Sequence, residues 1–226
     1  EPTMTLPRPV SAVVFDMDGL LIDSERLILK AMDEAARAIA RELPFEVFQQ
    51  MVGLTHAHSD AILVEHFGEG FVLADYHADV RARLNDVLAA GVALKSGVVE
   101  MLDHLDSVGA PRAVATSSGR NSLETHLGHA GLLDRFDAFI TRESVTNSKP
   151  HPEPYLKAAE ALGVDPAHCV ALEDSHNGVR AAAAAGMMTI MVPDLLDPTE
   201  EMRGLCVRIA RDLHEVRDLL QVMVRK

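Results

Sequence analysis

The chain has 226 residues, of which 48% are hydrophobic and 24% charged, and its formal net charge at pH 7 is −13. This balance is typical of a soluble globular protein, and the length suits one domain with a smaller insertion. A strongly acidic chain is a poor general ligand for nucleic acid or an anionic membrane, because both require a positive field. The two cysteines are too few for a disulfide framework. No apolar run is long enough to span a membrane, and the first ten residues lack the blocks of a signal peptide. The chain is therefore expected to be cytoplasmic.

Short apolar segments rich in β-branched residues predict the strands of a buried sheet. They lie at 12–15, 113–116, 138–141, 169–172 and 188–192. Helical patterns lie between the later strands, at 98–108, 122–130, 154–162 and 178–185. Strands that alternate with helices predict an α/β fold with a doubly wound, Rossmann-like parallel sheet.

The first two predicted strands are separated by about a hundred residues, far more than an ordinary crossover needs. Only helical patterns occur in this gap, at 26–40, 45–51, 58–67 and 74–90. The simplest interpretation is a helical cap domain, 25–92, inserted after the first strand. The α/β core then consists of 1–24 and 93–226, with hinges near 22–24 and 92–96.

Carboxylates follow two of the predicted strands, at the sheet edge where parallel α/β proteins bind ligands. Asp16 and Asp18 follow the first strand, and Glu173 and Asp174 end the fourth. Each pair alone could be a turn or a helix cap. Like charges crowded together in a poorly solvated place are costly unless a cation compensates them or one carboxyl is protonated. A cluster of oxygen ligands favours Mg²⁺ as that cation.

Groups that suit an anion follow the other strands. Thr116, Ser117 and Ser118 offer hydroxyls and backbone N–H groups where a strand meets a helix, which is a common anion site. Lys149 lies in a loop that three prolines restrain. A serine cap and a solvated lysine are the ordinary interpretations of these residues taken singly. Beside the acid cluster, they predict a phosphate site.

Four motifs occur in the order known from the haloacid dehalogenase (HAD) superfamily of phosphotransferases. They are Asp16-Met17-Asp18-Gly19, Thr116-Ser117, Lys149-Pro150 and Glu173-Asp174-Ser175. The resemblance extends from residue 12 to about residue 193. The insertion resembles the small cap of the branch that contains phosphoglycolate phosphatases, sugar-phosphate phosphatases and β-phosphoglucomutases. The dehalogenases lack the second aspartate of the first motif, so Asp18 favours phosphate chemistry.

The resemblance implies a phosphatase that works through an aspartyl-phosphate. Asp16 would be the nucleophile, and Asp18 the acid for the leaving alkoxide and then the base for water. Thr116, the Ser117 N–H and Lys149 would hold the phosphoryl oxygens. The substrate would be a small phosphorylated metabolite such as a sugar phosphate or phosphoglycolate.

A magnesium site is implied by the same resemblance. Mg²⁺ would be held by the Asp16 carboxylate, the Asp18 backbone carbonyl and Asp174, with Glu173 acting through water. No nucleic acid or membrane partner is expected, and the chain is expected to be a monomer or a weak dimer.

Substrate selection is assigned to both sides of the expected cleft. The loop 53–58 would cover the phosphate when the cap closes, which makes Gly53, Thr55 and His56 candidate substrate contacts. Ser118 and Arg120 are candidates from the core. An ordinary turn between helices, and a solvated arginine at a helix start, are the alternatives.

A phosphosugar mutase is the main competing activity. β-Phosphoglucomutases resemble the chain closely, but they carry a histidine where Ile28 stands and an arginine where His56 stands. Both differences favour the phosphatase. A non-enzymatic binding module is disfavoured, because the four motifs retain Asp16, Asp18, Lys149 and Asp174.

Overall fold

The fold comes from a computed structural model, which describes residues 6–54 and 56–221. The strands are β1 (Ala12–Phe15), β2 (Arg112–Ala115), β3 (Ala138–Ile140), β4 (Cys169–Glu173), β5 (Met188–Met191) and β6 (Arg208–Ile209). They pair in parallel in the order β3-β2-β1-β4-β5-β6. The predicted α/β fold is confirmed, with five strands close to their expected positions. The edge strand β6 was not predicted, because its two residues are too short to carry a pattern.

Helices connect the strands and cover the sheet. Between β1 and β2 lie α1 (Glu25–Ala38), α2 (Phe45–Met51), α3 (His56–Phe67), α4 (Leu73–Ala89) and α5 (Val98–Val108). The later helices are α6 (Arg120–His129), α7 (Glu153–Leu162), α8 (His176–Ala184), α9 (Glu200–Leu205) and α10 (Leu213–Gln221). Short 3-10 turns occur at Leu133–Arg135, Arg142–Ser144 and Pro166–His168. None of the described helices combines the length and the apolar character that a membrane crossing requires.

The central strands of the sheet are buried on both faces because they are mostly apolar. In β1, Val13 and Phe15 enter one hydrophobic cluster, which α5, α6 and α10 complete. Ala12 and Val14 enter the other, to which α7 and α8 contribute mainly alanines. Side chains alternate between faces along a strand, so four residues supply both layers.

The helices α1 to α4 pack around a hydrophobic cluster of their own. Its buried members come from 31–80, together with Leu196 from the loop after β5. The side-chain amide of Gln49 donates to the Leu195 carbonyl at 3.0 Å, so the same loop is also held by a hydrogen bond.

The two segments that join this helical region to the sheet run side by side. The Asp23 N–H donates to the Ala93 carbonyl, and the Lys95 N–H donates to the Leu21 carbonyl, each at 2.9 Å. These backbone hydrogen bonds hold the two segments together where the chain leaves the sheet region and returns to it.

Candidate active site

A buried ion pair lies at the carboxyl end of the central strand. Asp16 directly follows β1, and its N–H donates to the Leu172 carbonyl at 3.0 Å. The Lys149 ammonium lies 2.8 Å from Asp16 Oδ1 and 2.5 Å from Glu173 Oε1. All three side chains are buried, Asp16 being 7% exposed and Glu173 0%. One cation therefore stabilises two carboxylates that arrive from different strand ends.

The acids outnumber the cation that compensates them. Oxygen atoms of Asp16, Glu173 and Asp174 all lie within 4.8 Å of one another. Burial, followed by the nearby Glu173 charge, raises the pKa of Asp16 to about 7 although Lys149 opposes the shift. Burial and the neighbouring carboxylates raise the pKa of Asp174 well above its ordinary value. Asp174 Oδ1 is buried and has no hydrogen-bond partner among the described residues. A cluster of oxygen donors with an unpaired buried oxygen suits a bound divalent cation.

Lys149 stays charged because of its partners. Burial alone lowers the pKa of the ammonium group, but the Asp16 and Glu173 charges and hydrogen bonds outweigh burial and raise it. The cation is therefore present at any ordinary pH and can face an anionic ligand.

Glu173 is held on several sides. The Tyr155 hydroxyl donates to Oε1, and the Ser175 hydroxyl donates to Oε2 at 3.3 Å. A Cβ at Gly178 would overlap the Glu173 carboxyl group, so α8 approaches this carboxylate more closely than any other residue type would allow. The position of Glu173 is thus set by packing as well as by charge.

Two hydroxyls hold the second carboxylate of the first motif. Ser24 donates to Asp18 Oδ1 and Ser118 donates to Asp18 Oδ2, each at 2.7 Å. Asp18 is half-buried, whereas Asp16 is buried. The two carboxylates therefore occupy different environments, as separate chemical roles require.

The loop after β2 supplies the groups expected for an anion. Thr116 is buried, its N–H donates to the Ile140 carbonyl at 2.9 Å, and its hydroxyl accepts from the Ser118 N–H at 3.0 Å. Ser117 and Ser118 are half-buried. The loop ends where α6 begins, at Arg120.

A cavity of about 650 Å³ opens above these groups. Of the candidate site residues, those in its lining are Asp16, Asp18, Thr116, Ser117, Ser118, Lys149, Asp174, Gly53 and His56. Glu173 lies behind the lining, in contact with Lys149. The structure does not bring Arg120 to the cavity, because its exposed guanidinium faces Glu124 at 3.5 Å. Thr55 lies outside the described residues.

Gly53 shows how closely the inserted helices approach the motifs. Its φ of 74° is left-handed, and a Cβ there would lie 2.7 Å from the hydroxyl oxygen of Ser175. Only glycine meets both conditions without strain. The loop after α2 therefore lies directly against the loop after β4.

Several cavity residues were missed by the sequence reasoning. Ser24 and Glu25 come shortly after the first motif in the chain, so their position was a usable signal. Tyr155 and His126 lie on helices with no local motif, and only the tertiary structure brings them to the site.

Glu25 adds a further carboxyl group to the cavity. Burial, together with the charges of Asp18, Asp16 and Asp194, raises the pKa of Glu25 to about 8. The negative potential at the site thus extends beyond the four motifs.

Known proteins match the chain over most of its length. A model of the haloacid dehalogenase-like hydrolase family matches residues 13–192. Over 193 residues the chain is 37% identical to a probable pseudouridine-5′-phosphatase of Drosophila melanogaster, which covers 83% of each protein. It is 38% identical over 199 residues to hexitol phosphatase B of Escherichia coli K12, covering 84% of this chain and 86% of that protein. A solved structure described as a putative β-phosphoglucomutase from Thermotoga maritima superposes with a TM-score of 0.77 at 28% identity, covering 94% and 99% of the two chains.

The parallel sheet, with an acid cluster and a lysine at its carboxyl edge, defines an α/β enzyme of the phosphate-handling class. The chain belongs to the haloacid dehalogenase-like hydrolase family. It is a hydrolase of phosphoric monoesters.

Proposed function

We propose that the chain is a Mg²⁺-dependent phosphomonoesterase that hydrolyses a small organic phosphate through an aspartyl-phosphate. The observation that carries this proposal is the position of Asp16, which lies in the cavity lining while Lys149 holds one of its carboxylate oxygens. The second oxygen has no partner in the hydrogen bonds of the described residues. A nucleophile must be oriented and yet free to attack.

The reaction needs one proton donor that later accepts a proton, and Asp18 fits this role. An Asp16 oxygen attacks phosphorus while the ester bond breaks, and Asp18 gives its proton to the departing alkoxide. Water then attacks phosphorus, Asp18 takes its proton, and the Asp16–phosphorus bond breaks to release inorganic phosphate. The hydroxyls of Ser24 and Ser118 keep Asp18 in place through both steps.

The phosphoryl oxygens would be bound by groups that are already oriented. Thr116, Ser117 and Lys149 line the same cavity as Asp16, and the Lys149 charge is maintained by two carboxylates. Donors fixed before the reaction stabilise developing charge without reorganisation.

A metal site fits the remaining acids. Asp16, the Asp18 carbonyl and Asp174 would hold Mg²⁺, with Glu173 acting through water. When bound, the cation offsets the repulsion between the carboxylate nucleophile and the phosphate. The unpartnered Asp174 Oδ1 and the absence of sulfur and histidine from the cluster support a hard cation.

Substrate selection is assigned to a cap formed by 25–92. Residues of this region, Glu25, Ile28, Gly53, His56 and Arg81 among them, line the same cavity as the motifs. The cavity is larger than a phosphate group needs, which supports an ester with a sizeable organic part. Ile28 and His56 lie in the lining, so the two differences from the mutases occur where a substrate would be bound.

The test is phosphate release from a panel of hexitol, hexose and pentose phosphates and phosphoglycolate, first with Mg²⁺ and then with EDTA. We expect release that depends on the metal and favours one ester. Asp16→Asn should keep the fold and lose turnover, because the amide is a poor nucleophile of nearly the same shape. Parent-level release by Asp16→Asn would refute the aspartyl-phosphate, and isomerisation without release would indicate a mutase.

A further inference from the structure

A row of polar side chains in the cavity has no part in the mechanism above. Asn121, Ser122 and His126 lie on α6 and line the cavity. Ser122 and His126 are four residues apart and so share one face of the helix. Among the described residues, neither the Ser122 hydroxyl nor the His126 ring takes part in a hydrogen bond.

His126 is the unusual member of this row. It is 6% exposed, and its Nδ1 atom is buried with no hydrogen-bond partner among the described residues. A buried polar group without a partner destabilises a fold, because the group loses its water and gains nothing in return. The neighbours on α6, Leu123 and Leu127, are apolar and fully buried. A leucine at position 126 would therefore suit the folded protein better than an imidazole.

The ring is suited to a neutral ligand group. Burial lowers the pKa of His126, and His129 lowers it further, although Asp18 opposes them. A neutral imidazole offers one donor and one acceptor, which matches a hydroxyl group, because a hydroxyl can also donate and accept.

Apolar side chains line another part of the same cavity. Ile28, Leu84 and Leu88 come from α1 and α4 and give the cavity an apolar side. An organic group in the cavity would meet the hydrogen-bonding groups of α6, in addition to polar residues such as His56 and Arg81 that line the same cavity. Its carbon skeleton would pack on the apolar side.

We propose that His126, with Ser122 one turn before it, is a specificity-determining subsite that binds hydroxyl groups on the organic part of the substrate. This inference rests on the proposed phosphatase activity and deepens it. It assigns the substrate to polyhydroxylated phosphate monoesters, such as polyol or sugar phosphates, and away from phosphoglycolate.

The experiment compares two esters that differ in hydroxyl groups. Wild type and His126→Leu are assayed with the best polyol or sugar phosphate of the panel and with p-nitrophenyl phosphate, whose organic part has no hydroxyl. For the hydroxylated ester we expect KM to rise on the order of tenfold in His126→Leu. For p-nitrophenyl phosphate we expect kcat and KM to stay within about twofold. His126→Gln, which keeps a donor and an acceptor, should recover part of the loss.

Stability provides the second readout. His126→Leu should melt no lower than wild type, because it removes an unpartnered buried nitrogen. His129→Gln is the matched control, since His129 lies on the same helix but is exposed and outside this cavity's lining. Ser122→Ala probes the same subsite without changing a buried ring, and it should raise KM for the hydroxylated ester alone.

The outcomes separate the inference from the function on which it rests. Wild type that releases phosphate from neither ester refutes the proposed function and the inference with it. The inference alone is refuted if wild type hydrolyses both esters and the two variants do not distinguish between them. This would be the case if His126→Leu and Ser122→Ala lost the same activity on both esters, or lost none on either. The inference is also refuted if His126→Leu unfolds and Ser122→Ala has the same relative activity on the two esters as wild type. That result would show that His126 is structural.

Discussion

Ser118 donates a 2.7 Å hydrogen bond to Asp18 across 100 residues of chain. The bond joins the loop after β2 to the loop after β1, and Ser24 holds the other Asp18 oxygen from the start of α1. Asp18 is thus positioned by two parts of the protein that meet only because β1 and β2 are neighbours in the sheet.

Removing one of these hydroxyls should slow catalysis without unfolding the protein. We expect Ser118→Ala to lower kcat by about tenfold, because a hydrogen bond to a charged group contributes about 1.5 kcal/mol or more. The double variant, Ser24→Ala with Ser118→Ala, should have a lower kcat than either single variant. Steady-state kinetics measure the effect, and Ser107→Ala, on exposed α5 surface, is the control. Full activity in the double variant would exclude a positioning role.

Removing Lys149 should destabilise the metal-free protein. Lys149→Met leaves Asp16, Glu173 and Asp174 buried together without a compensating cation, and breaking a buried pair in this way costs about 3 to 5 kcal/mol. We expect a smaller loss in excess Mg²⁺, because a bound cation offsets the same charges. Chemical denaturation with EDTA and with Mg²⁺ measures both values. Lys157→Met is the control, since Lys157 pairs with Glu153 at the surface. If Lys149→Met lowered the free energy of unfolding equally with and without Mg²⁺, a metal site at these acids would be contradicted.

Substituting Gly178 should be harmful although alanine favours a helix. In Gly178→Ala the new Cβ would overlap the Glu173 carboxyl group, which also contacts Lys149 and Tyr155. We expect a loss of about 1 to 3 kcal/mol in the free energy of unfolding, together with reduced turnover. Gly204→Ala is the matched control, because nothing lies within 4 Å of a Cβ there and helix propensity then favours alanine. If Gly178→Ala were as stable as Gly204→Ala, the Glu173 side chain would have to move freely away from the new Cβ.

Glu25 should make the metal-free protein less stable as the pH rises. Its pKa is about 8 in the folded state and 4.5 ordinarily, so the folded chain binds more protons than the unfolded chain between these values. The free energy of unfolding contributed by Glu25 therefore falls as pH rises through that window.

Glu25→Gln removes this contribution, so its melting temperature should rise relative to wild type between pH 5 and pH 8. The comparison is made in EDTA, with the exposed Glu65→Gln as control. A difference between the two variants that is constant across the window would mean that Glu25 is ionised at all of these pH values.

The strands and most helices were predictable because each carries a local pattern. β1 is continuously apolar, and β4 and β5 are apolar except for Glu173 and Thr189, which is typical of strands buried on both faces. Helices such as α5 and α7 show one apolar face. The short edge strand β6 and the helix α9 carry too few residues for such a pattern.

The amino-acid sequence by itself determined most of the strands and helices, the four motifs and hence the family and its class of reaction. Elements and motifs can be predicted from local chemistry, because a strand end, a turn or a capping residue is recognisable from a few neighbouring residues. The tertiary structure alone decided which distant side chains meet: Tyr155 with Glu173, Ser118 with Asp18, and His126 with the cavity. Such contacts depend on sheet order and helix packing, which bring together residues whose own neighbourhoods in the chain give no sign of a partner.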